Sequence, residues 1–207
     1  MLNKSALNLI TAYDRIATRW QFGLERLGYP RAYQHLFRCM PEMQATSTLD
    51  IGCGTGAFSE ALLDAGHNRP DRLTLLDLSV PMLCVAKSRL QGRVPDLAVC
   101  NLPIGAELGC RFDLILAAHV FEHLDDPAAA LQWACRHLTP GGRIVLAISK
   151  PHWCTALIRL RWKNRAMRPA YVLNLLTTAG FKIAHHIPFV QGPPARTSAG
   201  YYAIAPL

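Results

Sequence analysis

Between residues 47 and 150, short apolar runs alternate with segments of helical periodicity, which predicts a parallel sheet with crossover helices. Runs rich in leucine and β-branched residues predict strands at 47–52, 72–77, 96–101, 112–118 and 142–149. The periodic segments between them predict helices at 57–65, 80–91 and 127–138. The expected fold is a doubly wound α/β sheet.

The two flanking regions predict further elements. The first 46 residues have a helical pattern that is broken at Gly28-Tyr29-Pro30 and at Pro41, which predicts an N-terminal helical lid over residues 1–46. After residue 150, the pattern predicts a helix at 169–179 and two strand-like segments at 181–190 and 201–205. These two strands predict a C-terminal antiparallel hairpin at one sheet edge. We expect the hairpin to join the same sheet, which gives one main domain over residues 47–207.

The composition narrows the class of protein. Hydrophobic residues make up 51% of the 207 residues and charged residues 17%, which is typical of a compact globular chain. No apolar run approaches the roughly 18 residues that span a bilayer, and no cleavage site follows a hydrophobic block, so a cytoplasmic protein is expected. The seven cysteines include no CxxC pair, which argues against a zinc site or a disulfide framework.

The net charge of +8 is distributed unevenly along the chain. Residues 1–48 carry six basic and three acidic groups, residues 49–150 nine and eleven, and residues 151–207 seven and none. Within this basic tail, the segment 158–165 interleaves cationic and apolar side chains. Such a segment suits a lipid headgroup interface, an anionic substrate pocket or a nucleic-acid backbone, and it equally suits a merely soluble surface.

A glycine-rich turn carries the strongest chemical signal. The segment LDIGCGTGAF over residues 49–58 runs from a predicted strand into a helix, where glycines let the backbone approach a nucleotide-like ligand. Asp50 stands two positions before the first glycine, where it would repel a pyrophosphate and attract an ammonium group. Asp77 ends the next strand, where a ribose diol would lie, although it could also cap the helix that begins at Val80 in place of Ser79.

Four segments together resemble the class I S-adenosylmethionine-dependent methyltransferases. They are LDIGCGTG, LLDLSVPML, FDLILAAHVFEHL and LTPGGRIVLAIS, and they lie within residues 45–150. The chain is most similar to the small-molecule branch with quinone-biosynthesis and phospholipid N-methyltransferases, which start with a pattern like YDRIA at 13–17. The resemblance implies a seven-stranded, mainly parallel Rossmann-like sheet and S-adenosyl-L-methionine as cofactor.

The resemblance also implies roles for residues of the cofactor site. The three loop glycines would line the methionine part, Asp50 would approach its ammonium group and Asp77 would hold the ribose. The family usually places an acidic residue after the third strand, where this chain has Asn101, whose side-chain carbonyl can accept a hydrogen bond from the adenine amino group. The complete set implied for the cofactor is Asp50, Gly52, Cys53, Gly54, Gly56, Asp77, Leu78, Met82, Asn101, Leu102, His119 and Tyr13.

Two histidines are candidates for the methyl-transfer chemistry. His119 follows the fourth predicted strand and His152 follows the fifth, and the carboxyl ends of both strands lie at the same sheet edge. An imidazole there could deprotonate or orient a substrate at neutral pH. The alternative is that His119 only closes the cofactor pocket through its backbone and its packing.

Two further segments allow both a binding role and a structural one. Tyr13, with Arg19 and Trp20, could cover the cofactor near its carboxylate, or the same helical spacing could provide a packing face. Residues 192–198 favour an ordinary hairpin loop, although Arg196 could also bind a carboxylate or phosphate of the substrate.

The expected function is methylation of a small or amphiphilic molecule, anionic or lipid-like, with contact to a membrane surface through the basic C-terminal region as a further hypothesis. RNA methylation is an alternative that the net charge allows. Nucleic acid is not the expected partner, because residues 119–122 read HVFE in place of the Asn-Pro-Pro-Tyr-like motif of many RNA enzymes. A noncatalytic subunit that binds the cofactor is the second alternative.

Overall fold

The computed structural model describes residues 17–42, 44–66, 69–152 and 165–207, with the backbone alone for residues 17–20. Tyr13 and most of the basic segment 158–165 lie outside the described residues, as do the side chains of Arg19 and Trp20. Seven strands form one sheet. They are β1 (Ser47–Ile51), β2 (Arg72–Leu76), β3 (Asp96–Cys100), β4 (Phe112–Ala118), β5 (Leu138–Ser149), β6 (Ile183–Pro188) and β7 (Ser198–Ile204).

The strand order is β3-β2-β1-β4-β5-β7-β6, and only β7 runs antiparallel to its neighbours. This arrangement confirms the mainly parallel α/β sheet and the antiparallel pair of strands at one sheet edge. The order reverses between β1 and β4, which leaves a crevice at the carboxyl ends of these strands. Ligands of open α/β sheets bind at such a crevice.

Helices cover both faces of the sheet. They are α1 (Ala17–Leu27), α2 (Tyr29–Arg38), α3 (Ala57–Ala65), α4 (Val80–Leu90), α5 (Pro127–Arg136), α6 (Pro169–Thr178) and α7 (Gly192–Thr197), with a 3₁₀ turn at Phe121–His123. Trp133 and Leu176 pack on one face of the sheet, and Leu36 and Phe58 pack on the other. Burying both faces explains the continuous apolar runs of the central strands.

Three of the predicted elements differ from the structure. Strand β7 begins at Ser198, three residues before the predicted start at 201. Strand β5 begins at Leu138, four residues earlier than the pattern predicts, because an irregularity shifts the register between Leu138, which pairs with Phe112, and Arg143, which pairs with Leu114. The connection at 192–198 contains the short helix α7, so the expected hairpin loop is wrong. Pro193 stands in the first helical turn, where its missing N–H costs no hydrogen bond.

Other local features agree with the sequence pattern. Gly28 separates α1 from α2 at the expected break. The Asp126 carboxylate caps α5 by accepting the N–H of Ala129 at 2.9 Å. None of the helices within the described residues is long and apolar enough to cross a membrane.

Candidate functional site

The glycine-rich loop lies between β1 and α3, and its three glycines meet different surroundings. A Cβ on Gly52 would lie 2.5 Å from Val120 Cγ2, and a Cβ on Gly56 would lie 2.9 Å from Leu90 Cδ1. Gly54 also has a positive φ, of +52°, but nothing lies within 4 Å of its Cβ position. Gly52 and Gly56 therefore allow close packing, while Gly54 borders open space at the crevice.

Asp77 follows β2 and is fixed against this loop. Its Oδ2 accepts the Gly54 N–H and its Oδ1 accepts the Ser79 N–H, both at 2.8 Å. The cap of α4 is Ser79, whose Oγ accepts the Met82 N–H at 3.3 Å, so the alternative that Asp77 caps this helix is wrong. The carboxylate is held at the crevice with a defined orientation, and each of its oxygens can accept more than one hydrogen bond.

Asp50 lies below the loop and is completely buried. Its Oδ2 accepts the Ser59 hydroxyl at 2.6 Å, and its Oδ1 has no partner among the described residues. Burial, opposed by the Ser59 hydrogen bond and reinforced by the charge of Asp77, raises the pKa of Asp50 to about 7. A cation that reached Oδ1 would remove the cost of ionising this carboxyl group.

The other expected cofactor residues lie around this carboxylate pair. The side-chain amide of Asn101 donates to the backbone oxygens of Asp77 and Leu78, both at 2.9 Å, which turns its carbonyl oxygen away from them. Leu102 is 39% exposed, whereas Met82, in the first turn of α4, is only 2% exposed. Burial and the two neighbouring carboxylates raise the pKa of the Cys53 thiol, which keeps it neutral.

His119 follows β4 with an unusual backbone conformation. Its φ of +57° is the only positive value among the described residues other than glycine. Its N–H donates to the Ala147 oxygen at 2.8 Å, and Nδ1 lies 2.9 Å from Glu122 Oε1 and 3.1 Å from Ser149 Oγ. The other ring nitrogen, Nε2, is buried and has no partner within the described part of the chain.

Glu122, which holds this imidazole, is 1% exposed. Its Oε1 also accepts the backbone N–H of Ser149 at 3.0 Å. Burial alone would raise the pKa of Glu122, but the hydrogen bond and charge of His119, the charge of His123 and the Ser149 N–H together lower it. These partners favour the ionised form of Glu122, which is hydrogen bonded to the imidazole of His119.

An aromatic wall borders His119. The ring of Tyr29 meets the imidazole edge-on with centroids 5.3 Å apart, and Tyr33 lies behind it at 6.5 Å. The Tyr29 hydroxyl is 3.0 Å from Ser198 Oγ and 3.3 Å from Thr197 Oγ1. The start of α2 is therefore tied across the site to the junction of α7 and β7.

The sequence from the start of α5 onward is strongly cationic. Residues 127–207 contain ten lysines and arginines and no aspartate or glutamate. Lys150 follows β5, its Nζ donates to the Ala195 oxygen at 2.7 Å, and burial together with the Lys150 charge lowers the pKa of His186. His152 is half-buried close to the same strand end. Among the described residues, no group of three or more His, Cys, Asp or Glu side chains is arranged to hold a metal.

Comparison with known proteins places this geometry in a family. Residues 49–144 match the family described as methyltransferase domain. The ubiquinone biosynthesis O-methyltransferase of Methylobacterium sp. (strain 4-46) is 34% identical over 151 residues, which covers 64% of this chain and 59% of that protein. The chain contains a class I S-adenosylmethionine-dependent methyltransferase domain. The ribosomal RNA small subunit methyltransferase C of Salmonella newport (strain SL254) is 35% identical over 101 residues, 46% of this chain and 29% of that protein.

Solved structures share the fold of this methyltransferase domain over nearly the whole chain. The N-methyltransferase NodS of Bradyrhizobium japonicum WM9, in complex with S-adenosyl-L-homocysteine, has a TM-score of 0.76 and 23% identity, covering 97% of this chain and 100% of that one. A putative methyltransferase of Haloferax volcanii, in complex with the Trm112 methyltransferase activator, has a TM-score of 0.74 and 18% identity. The match covers 94% of this chain and 98% of that one. The alignments with the curated relatives span less than two thirds of each relative.

The methyltransferase domain brings most of the expected site residues to one sheet edge. Asp50, the loop glycines, Asp77 and Asn101 cluster on one side of β1, and Val120 joins Gly52 to the His119 side. Sequence reasoning missed Tyr29, Glu122 and Ser149. Of these three, only Glu122 could have been found from the sequence, because it is the single acidic residue in the mostly apolar segment 114–124.

Proposed function

We propose that this chain transfers the methyl group of S-adenosyl-L-methionine to a small or amphiphilic anionic molecule. The observation that carries this proposal is the Asp77 carboxylate, fixed by the N–H groups of Gly54 and Ser79 at the crevice of the sheet. A carboxylate in this position recognises a ribose diol. The nearby unpartnered oxygen of Asp50 fits a ligand that carries a positive charge.

The residues fit the whole length of this cofactor. Its ammonium group matches Asp50 Oδ1, its ribose hydroxyls match Asp77, and its adenine amino group matches the carbonyl of Asn101. Leu78 and Leu102 supply apolar surface beside the adenine, and the open space at Gly54 admits the methionine part. When bound, the cofactor supplies an electrophilic methyl group on a sulfonium.

The substrate class is inferred from charge and aromatic surface. Lys150 follows β5 at the sheet end where His119 lies, and the sequence from residue 127 onward contains ten lysines and arginines and no carboxylate side chain, which favours an anionic substrate over a cationic one. Tyr29, which is half-buried, presents its ring edge-on to His119 and packs on the buried ring of Tyr33, which suits an apolar ring or chain of the substrate. An amphiphilic molecule with an acidic group satisfies both features.

Isothermal titration with S-adenosyl-L-methionine and S-adenosyl-L-homocysteine tests the cofactor assignment. We expect both to bind, and we expect Asp77→Ala to lower the affinity at least tenfold because a charged hydrogen-bond acceptor is lost. Asp96→Ala is the matched control, since this exposed carboxylate on β3 pairs with Arg72 and lies outside the proposed pocket. Unchanged affinity in Asp77→Ala would show that the pocket lies elsewhere. Labelled methyl transfer into a soluble or a lipid extract then identifies the substrate class.

RNA methylation remains a second candidate, because a relative is a ribosomal RNA methyltransferase and the charge excess is large. It predicts RNA binding whose affinity falls steeply with salt concentration. Weak binding without that dependence argues against it. Cofactor binding with no transfer into any extract would instead favour a noncatalytic subunit.

Contact with a membrane surface is a separate hypothesis about the basic segment 158–165. Co-sedimentation with anionic liposomes, compared with a variant that carries Arg159→Glu, Arg161→Glu and Arg165→Glu, measures it. Greater sedimentation of the unaltered chain supports this contact, and equal sedimentation of both proteins contradicts it.

A further inference from the structure

We propose that Glu122 is a positioning residue that holds the His119 imidazole with its proton on Nδ1, so that Nε2 takes the proton from a hydroxyl group of the substrate. This inference rests on the proposed methyl transfer and adds the reacting atom and the base. It starts from the contact of 2.9 Å between His119 Nδ1 and Glu122 Oε1.

The tautomer follows from the partners of Glu122. A carboxylate can only accept hydrogen bonds, and Oε1 accepts one from the Ser149 N–H and one from the imidazole. Nδ1 must therefore carry the proton. In a neutral ring the lone pair then lies on Nε2, which is buried and has no partner among the described residues. A buried acceptor without a partner is costly unless a ligand supplies the donor.

The backbone conformation of His119 determines where its ring lies. His119 holds a left-handed conformation, with φ of +57°, which costs a residue with a Cβ roughly 1–2 kcal/mol. Its N–H nevertheless completes the ladder to β5 through Ala147. The conformation directs the ring to Glu122 and Ser149 on one side and leaves Tyr29 on the other. Strain of this kind is concentrated at functional sites.

A base at Nε2 selects the kind of group that the site would methylate. An attacking hydroxyl group must lose its proton, whereas an amine that arrives unprotonated can attack without a base. Lys150, a described cation, follows the carboxyl end of β5 directly, and its charge favours an oxyanion over an ammonium group there. The arrangement therefore favours an acidic hydroxyl, such as a phenol or an enol.

The reaction balances in one displacement. The hydroxyl proton moves to His119 Nε2 while the oxygen forms a bond to the methyl carbon. The carbon–sulfur bond breaks and leaves its electron pair on sulfur, which becomes a neutral thioether. The imidazolium, stabilised by the ionised Glu122, then releases its proton to water.

Nitrogen-15 NMR of the imidazoles tests the tautomer without any substrate. In the full chain saturated with S-adenosyl-L-homocysteine at pH 8, we expect His119 to have its proton on Nδ1 and a lone pair on Nε2. Glu122→Gln should shift this signature toward a mixture of tautomers. Glu107→Gln is the matched control, because Glu107 is 88% exposed at its side chain and lies 3.7 Å from His137 Nε2. We expect it to leave the His119 signals unchanged.

A proton on Nε2 in the unaltered chain would overturn the proposal, as would an unchanged signature in Glu122→Gln. If that variant does not fold, the spectrum of the unaltered chain still decides the tautomer. The NMR experiment thus gives an answer even if the proposed methyl transfer is wrong.

The reacting atom is tested with S-adenosyl-L-methionine labelled with carbon-13 in its methyl group and incubated with metabolite and lipid extracts. We expect labelled O-methyl products, and we expect Glu122→Gln to lower kcat about 100-fold with little change in KM or in S-adenosyl-L-homocysteine affinity. Labelled N-methyl products, or equal rates in both proteins, would overturn the inference. Absence of any labelled product would contradict the proposed methyl transfer itself.

Discussion

The sheet has two halves, β1 to β3 and β4 to β7, which we call the cofactor half and the substrate half after the proposed function. Among the described residues each half buries one carboxylate, and the pKa values of these two carboxylates shift in opposite directions. Asp50, on the cofactor side, has a serine hydroxyl as its hydrogen-bond donor and a like charge nearby, and its pKa rises to about 7. Glu122, on the substrate side, is equally buried, yet its pKa falls because His119 and the Ser149 N–H stabilise the anion. Burial raises both values, so the partners decide the outcome.

This difference indicates how each half is completed. In the substrate half, the His119 imidazole and the Ser149 N–H donate to Glu122 Oε1, so the ionised form of this carboxylate is favoured before any ligand binds. Each carboxylate keeps one buried oxygen without a partner among the described residues, Oδ1 of Asp50 and Oε2 of Glu122. Only at Asp50 do the donors fail to outweigh burial, so a positively charged ligand would complete the cofactor half. We infer that cofactor binding and ionisation of Asp50 are coupled.

The largest expected effect comes from the contact that joins the two halves. In Gly52→Ala, the new Cβ would lie 2.5 Å from Val120 Cγ2 on a backbone with φ of +60°. Overpacking and the left-handed conformation together should lower the free energy of unfolding by about 2–5 kcal/mol. Unfolding in denaturant measures this loss of stability.

Gly54→Ala is the matched control for that substitution. Its backbone φ is also positive, at +52°, but the Cβ meets nothing within 4 Å. We expect a loss of about 1 kcal/mol in stability and a clear loss of cofactor affinity, because the methyl group occupies the open space of the crevice. Equal destabilisation by both substitutions would contradict the different roles of the two glycines.

The pH dependence of stability tests the buried Asp50 directly. Its pKa is about 7 in the folded chain and ordinarily 3.8, so between these values only the unfolded chain is ionised and stability falls as pH rises. From pH 5 to pH 8 the fall from this group amounts to about 3 kcal/mol. Asp50→Asn should remove it.

When Asp50→Asn is compared with the unaltered chain, the contributions of the other titrating groups to the pH dependence of stability cancel. Glu122 and Asp113, whose pKa values are lowered, contribute stability that is lost as pH falls, which is the opposite sign. Parallel stability curves for the two proteins would show that Asp50 is ionised in the folded chain at neutral pH. The cofactor half would then resemble the substrate half.

The two halves also differ in how far sequence determines them. The glycine-rich turn before α3 and the helix cap at Asp126 depend on neighbours within a few residues, and the structure has both where the sequence predicts them. The start of β5 was wrong because its register with β4 depends on a bulge that no local pattern signals.

The contacts of the substrate half join residues that are far apart in sequence. Tyr29 meets Ser198 across 169 positions, and His119 meets Ser149 across 30. No spacing rule links such pairs, because only the completed sheet brings α2, β5 and β7 together. The sequence predicts the strand end at which His119 lies, and its carboxylate partner Glu122 is only three residues further along, but its contacts with Ser149 and Tyr29 required the three-dimensional structure.

A smaller effect is expected where these distant contacts close the site. Tyr29→Phe removes the hydroxyl that bonds to Thr197 and Ser198, which should lower the free energy of unfolding by about 1 kcal/mol. The aromatic ring beside His119 is kept, so cofactor affinity should be unchanged. Thermal unfolding and calorimetry measure the two quantities. A loss of cofactor affinity equal to the loss of stability would indicate that α2 also supports the cofactor half.

The smallest effect is expected from the same substitution at a different tyrosine. Tyr201 is fully buried on β7, and its hydroxyl has no hydrogen-bond partner among the described residues. Burial and the nearby charge of Glu122 raise its pKa, so the hydroxyl is neutral and unpaired. Tyr201→Phe should therefore raise the free energy of unfolding, by up to about 1 kcal/mol, because a buried polar group without a partner is removed.

The two tyrosine variants form a matched pair. We thus expect Tyr29→Phe to lower the free energy of unfolding and Tyr201→Phe to raise it. This pair of variants tests whether a hydrogen-bond partner, and not burial, decides whether a hydroxyl group stabilises the substrate half. A loss of stability in Tyr201→Phe would mean that an ordered water links its hydroxyl to the second oxygen of Glu122.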